Sequence, residues 1–109
     1  MQVQDWLDAG YKRFENTGHI KQYADFGLQK CVRDEKGKRY YITVFVYDMT
    51  KYHQDYFSFV PDVQFRDFDG KHTVSMEMHT RKETTVQEVE DFFDKMWKAV
   101  GMPYYEEYN

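Results

Sequence analysis

Cysteine is nearly missing from this 109-residue chain, where Cys31 stands alone. One thiol cannot build a disulfide framework, so the fold has to be held by its core, and the lone cysteine agrees with a reducing compartment. Proline occurs twice, at Pro61 and Pro103, and each marks a place where regular structure is interrupted. No run of about 18 apolar residues is present, which excludes a membrane-spanning helix written in these residues. The opening MQVQDWLDAG is polar and acidic, unlike a secretion signal. The expectation is a cytoplasmic protein.

An excess of positive charge is also lacking. The formal net charge is −4, and it is concentrated toward the end, where Glu88, Glu90, Asp91, Asp94, Glu106 and Glu107 face only Lys95 and Lys98. Proteins that grip nucleic acid non-specifically show the opposite bias, because phosphates are neutralised by Lys and Arg. Catalytic signatures are missing as well. No glycine-rich phosphate loop, P-loop or GxSxG is readable, and no cysteine–histidine constellation surrounds Cys31. His19, His53, His72 and His79 lack ligand spacing; the separation of seven between His72 and His79 puts them on opposite faces of a strand. Glu90 and Asp94 lie one helical turn apart, which reads as a solvated acidic face rather than a cation site. The expectation is therefore no enzyme, no metal and no cofactor.

Aromatic residues, by contrast, make up 19% of the chain, with ten Tyr, nine Phe and two Trp. Such rings dominate both cores and interfaces. A chain of this length forms one domain, residues 1–109, ending in the short acidic aromatic tail PYYEEYN, 103–109.

Periodicity divides that domain into six elements. Val3, Trp6, Leu7, Tyr11 and Phe14 follow helical spacing and predict a first helix over 3–14. Ala24, Phe26, Leu28 and Val32 alternate with polar residues, then DEKGK turns into YYITVFVYDM, 40–49. A three-residue loop over 35–37 would set Leu28 opposite Val44 and Phe26 opposite Val46. A two-residue loop would set Leu28 against Phe45 instead, and the first register gives the consistent apolar face. Asp69-Gly70 closes a second hairpin, placing Phe65 opposite Val74 and Val63 opposite Met76, with a bulge or break expected at Pro61. Thr85-Val86-Gln87-Glu88 is a capping box. It opens a helix whose buried stripe is Val86, Val89, Phe93, Met96, Trp97 and Val100, closed by Gly101 and Pro103.

The order is α-β-β-β-β-α, an α+β fold with a four-stranded antiparallel sheet and two helices packed on one face. Two helices cover one face of such a sheet, so the other, carrying Tyr41, Phe45, Tyr47, Val60 and Phe68, is expected to be open and unusually apolar. The double-stranded-RNA-binding domain is similar in order, but this chain has an extra strand and no Lys cluster opening its last helix.

Those features point to a domain that binds a protein, as a small inhibitor or adaptor. By size and acidity it is like immunity proteins for nuclease toxins or phage proteins that block host defence nucleases. Two surfaces are candidates: the sheet face, with Tyr41, Phe45, Tyr47 and Arg66, and the acidic helix, with Glu90, Asp91 and Asp94. A homodimer through the sheet face and a single-strand nucleic-acid platform stacked on its rings are the alternatives. The connection YDMTKYHQDY, 47–56, with Asp48, Tyr52, His53 and Asp55, is a further contact candidate because it is longer than a tight turn.

Overall fold

The computed structural model describes residues 1–15, 24–35, 38–66, 73–99 and 104–105. Five antiparallel strands lie side by side in chain order: β1 (Lys12–Glu15), β2 (Phe26–Glu35), β3 (Lys38–Asp48), β4 (Phe57–Arg66) and β5 (Thr73–Glu77). Helix α1 (Val3–Asp8) precedes them and α2 (Val86–Ala99) follows. The short strand β6 (Tyr104–Tyr105) pairs with Phe65 and Arg66 of β4. Those two residues already pair with β5 on their other side, so β6 takes the side that β3 occupies further along. The α+β class and the antiparallel sheet agree with the sequence, but the sheet is wider than four strands.

The extra strand comes from the expected first helix, which ends at Asp8 instead of residue 14. Gly10 adopts φ +97°. Its N–H donates to the Leu7 carbonyl and that of Tyr11 to the Trp6 carbonyl, at 3.0 Å each. This is a Schellman stop, in which a left-handed glycine lets the chain reverse onto the last turn. The chain then pairs Lys12 through Glu15 with Gln29 through Phe26. A six-residue helix has little stability of its own, and here it is held by Trp6, which is fully buried.

In the first hairpin both loop readings are realised. Next to the turn, Glu35 pairs with Lys38, the two-residue spacing; further in, Cys31 pairs with Tyr41, Leu28 with Val44 and Phe26 with Val46. A register shift between Cys31 and Arg33 absorbs the difference, as a β-bulge does. The core register is therefore the one that apolar matching selects. The second hairpin pairs Phe65 with Val74 and Val63 with Met76 as the sequence indicates; its turn at Asp69-Gly70 lies outside the described residues, as do Phe68, Val100, Gly101 and Pro103.

Trp6, Tyr11, Phe26, Leu28, Ile42, Val44, Val46, Phe59, Val63, Val89, Phe93 and Trp97 form one buried cluster between the sheet and both helices. Trp6 stands edge-on to Tyr11, ring centroids 4.9 Å apart. Helix α2 starts with one half of the expected capping box, the Glu88 N–H donating to Thr85 Oγ1 at 3.1 Å. The Thr85 hydroxyl donates in turn to the Glu88 carboxylate.

The opposite face is not the open surface that two helices alone would leave. Phe45 is 1% exposed and forms a second cluster with Ala24, against which Phe14, Tyr47 and Val60 pack. Phe14 pairs with Gly27 across β1 and β2, and a Cβ built on Gly27 would fall 2.2 Å from Phe14 Cζ. The ring therefore lies directly on the glycine, the close approach that glycine in a strand permits. Beside this cluster runs a polar row. Gln29 Nε2 donates to Thr43 Oγ1 at 3.0 Å, and the Ser75 hydroxyl donates to the Asp62 carboxylate at 3.2 Å. Thr43 and Asp62 are both buried.

Pro61 interrupts the sheet on one side only. The register of β3 with β4 runs unbroken from Thr43–Asp62 to Asp48–Phe57. On the other side β5 ends at Glu77. The next pair makes a single bond, Met78 N–H to the Pro61 carbonyl at 3.0 Å, because proline has no N–H to return.

Candidate binding groove

The structure separates the residues that the sequence nominates. Tyr41 and Tyr47 are half-buried, and burial raises the Tyr47 phenol above its usual pKa. Phe45 is inside the second cluster rather than on a surface. Arg66 contributes backbone pairs to Thr73 and Tyr104. On α2, Glu90 is half-buried and accepts from Lys30 Nζ at 2.8 Å and from the Tyr11 hydroxyl at 3.2 Å. Asp94 pairs with Lys98 at 3.0 Å. Asp91 remains exposed and accepts from Gln87. The charge of Glu90 is thus spent internally, tying α2 to β2 and to the segment after α1.

A different place gathers exposed chemistry. Because the Pro61 carbonyl faces β5, alternation along the strand turns the main-chain groups of Phe59 and Phe57 the same way. Segment 78–82 stays alongside only briefly: Thr80 Oγ1 donates to the Phe59 carbonyl at 2.7 Å. It then turns away, with the Thr84 N–H donating to the Arg81 carbonyl and the Arg81 N–H to Thr84 Oγ1. Among the described residues no group bonds the Phe57 main chain on that side.

A groove of ≈ 520 Å³ opens between the two diverging segments. Tyr56, Phe57 and Phe59 give it an apolar wall, and Ser58, Thr50 and Thr80 supply hydroxyls. Arg81, Lys82 and Asp55 supply its charged side chains. Met1 reaches over one end, its N–H₃⁺ donating to the Lys82 carbonyl at 3.1 Å. Arg81 and Lys82 are exposed and make no ion pair among the described residues.

The far end of the groove is the connection between β3 and β4, and its shape is fixed locally. Met49–Tyr52 form a 3₁₀ turn capped by Asp48, whose carboxylate accepts from the Thr50 N–H. His53 ends the turn in the left-handed region at φ 62°. The Met49 N–H donates to the Tyr56 carbonyl, closing the loop. Asp25 anchors it from β2, accepting from the Asp48 N–H at 2.7 Å and from Lys51 Nζ. Lys51 first, then the Asp48 N–H, holds the Asp25 carboxyl below its usual pKa, and Asp25 raises that of Lys51. Tyr52 and Tyr56 stand out of this braced loop at 68% and 47% exposure, so a partner meets rings whose supporting backbone is already held.

Two other features lie nearby. Asp5, Asp8 and Glu83 line a second hollow, on which Lys82 also borders. Cys31 is exposed. Among the described residues, no three metal-ligating side chains converge, and no helix is long and apolar enough to cross a membrane. His19 and His72 lie outside the described residues.

Sequence reasoning nominated the loop through Tyr52 and Asp55 but missed Lys82 and the edge of β4 that is open among the described residues. Pro61 was the signal that could have found them. No family model matches the chain, and no curated protein and no solved structure is found to be similar to it.

Proposed function

We propose that this chain is a non-enzymatic protein-binding domain, working in the cytoplasm as a small inhibitor or adaptor, and that it meets its partner at the groove beside β4. The observation that carries the reading is the combination in one concavity of a strand edge left open among the described residues, the exposed ring of Tyr56, and the cations of Arg81 and Lys82, which make no ion pair among those residues. Aromatic side chains with Arg are the composition of interface centres, and the loop that presents them is braced at both ends. The burial of Phe45 argues against a stacking platform for single-stranded nucleic acid, because its central ring is covered. The acidic helix is the weaker site, since Glu90 and Asp94 already have cationic partners.

The test is affinity capture with four forms of the chain: wild type, Tyr56→Ala, Arg81→Glu and Lys95→Ala, the last being exposed on α2. A partner held by wild type and Lys95→Ala but lost by the groove variants supports the assignment. Retention by both groove variants, with loss on a fifth form, Asp91→Lys, would move the site to α2.

A further inference from the structure

We infer that the groove takes an extended peptide segment as an added strand along the free edge of β4, and that the segment carries a carboxylate side chain which meets Arg81. This rests on the protein-binding reading above and specifies its mode and its ligand chemistry.

The main chain supplies the first argument. Phe57 ends the ladder with β3 opposite Asp48, and both its N–H and its carbonyl face the groove. An incoming antiparallel residue opposite Phe57 makes two hydrogen bonds, the pairing that strand addition uses. One step further the Phe59 carbonyl is already held by Thr80, so the docked stretch is short, centred on Phe57. Its alternate side chains point toward the apolar wall of Tyr56, Phe57 and Phe59, because successive residues of a strand face opposite ways. The groove's ≈ 520 Å³ falls within the range of about 300–1,000 Å³ that ligand sites occupy.

Charge supplies the second. Arg81 and Lys82 border the groove against the single carboxylate of Asp55, in a protein whose net charge is −4. Lys82 also borders the hollow with Asp5, Asp8 and Glu83, so its field is shared with acids. Arg81 is left as the specific partner, and its planar fork matches a carboxylate in two parallel hydrogen bonds.

The experiment selects a random twelve-residue peptide library displayed on phage against the immobilised full chain. The best clones are then remade as synthetic peptides for titration by fluorescence anisotropy. The expected result is enrichment of Asp or Glu within alternating apolar residues, and Arg81→Glu weakening these peptides about tenfold or more through loss of the paired charge-assisted hydrogen bonds. N-methylation of alternate peptide residues should abolish binding in one phase and spare it in the other, because only one set of N–H groups faces β4. Amide hydrogen exchange at Phe57 should slow on binding. Enrichment of basic peptides, indifference to Arg81→Glu, or equal tolerance of N-methylation at both phases would overturn the inference, as would failure to enrich any peptide. The capture experiment with the groove variants reads the protein-binding assignment independently, so loss of the strand-addition mode and loss of the site itself are distinguishable.

Discussion

One added carbon at Gly27 tests how the second face of the sheet is closed. In Gly27→Ala the new Cβ meets Phe14 Cζ at 2.2 Å and the neighbouring ring carbons at 2.6 and 2.7 Å, well inside contact distance, so the ring has to leave. Its departure removes a cross-strand contact of roughly 0.2–1 kcal/mol. It also uncovers part of Phe45, which is otherwise 1% exposed, and of Phe14 itself. If about half of one phenyl's burial is lost, the cost is about 1–1.5 kcal/mol. Against this, alanine orders more cheaply than glycine by roughly 0.5 kcal/mol. The net expectation is destabilisation of about 1.5 kcal/mol, which lowers a urea midpoint by about 1 M at a slope of about 1.5 kcal/mol per molar. In a Phe14→Ala background the ring is gone, and Gly27→Ala should be neutral or slightly stabilising. Urea unfolding of the four proteins in the cycle gives a coupling of about 2 kcal/mol. An equal loss in both backgrounds, or an unchanged midpoint in the parent, would refute the closed-face account.

Three further outcomes follow from particular contacts. Glu90→Ala leaves Lys30 Nζ and the Tyr11 hydroxyl without their shared acceptor and should cost about 1–2 kcal/mol in urea unfolding; a loss under about 0.5 kcal/mol would show that the bridge is solvated. The Asp25 carboxyl has a folded pKa below its ordinary value of 3.8, so its contribution is present above that value and disappears as pH falls through the folded pKa. Lys51 is raised above 10.5, so its contribution is present below that value and fades as pH rises through its own folded pKa. Asp25→Asn should therefore flatten the acid limb of a stability–pH profile and, because it removes the partner that raises Lys51, also the alkaline loss due to Lys51; an unaltered acid limb would discount the latch. Thr80→Val removes the hydroxyl that satisfies the Phe59 carbonyl and should cost about 1 kcal/mol by thermal unfolding, with faster amide exchange along residues 57–59 as its local signature.

Both hairpins were legible in the sequence because register is a matching problem with a strong answer. Sliding β2 by one residue would turn Leu28 and Phe26 away from the core, and the apolar alternation excludes that whatever the loop does. The chain met the loop's own preference with a shift beside Val32. The first helix misled because Tyr11 and Phe14 fit a helical stripe as well as they fit two faces of a strand. Gly10 was in plain view, but its left-handed stop depends on β2 offering an edge to pair with. Assigning Phe14 to the helix then left nothing to cover Phe45, and the open face followed from that one error. Gly27 carried the missing information, since a glycine inside an alternating strand marks a close approach. The groove was harder to see, because it exists where β5 leaves β4, and that divergence is a tertiary outcome. Pro61 showed that the ladder would fail, though not on which side.

The central claim is that partners are met at the free edge of β4 and not on the sheet face or the acidic helix. Amide hydrogen exchange read by mass spectrometry, on the chain alone and saturated with its captured partner or a selected peptide, tests it most directly. The expected result is protection confined to peptides covering residues 55–59 and 80–82. Protection instead at 41–47 or at 88–94, with the β4 edge unchanged, would contradict the account.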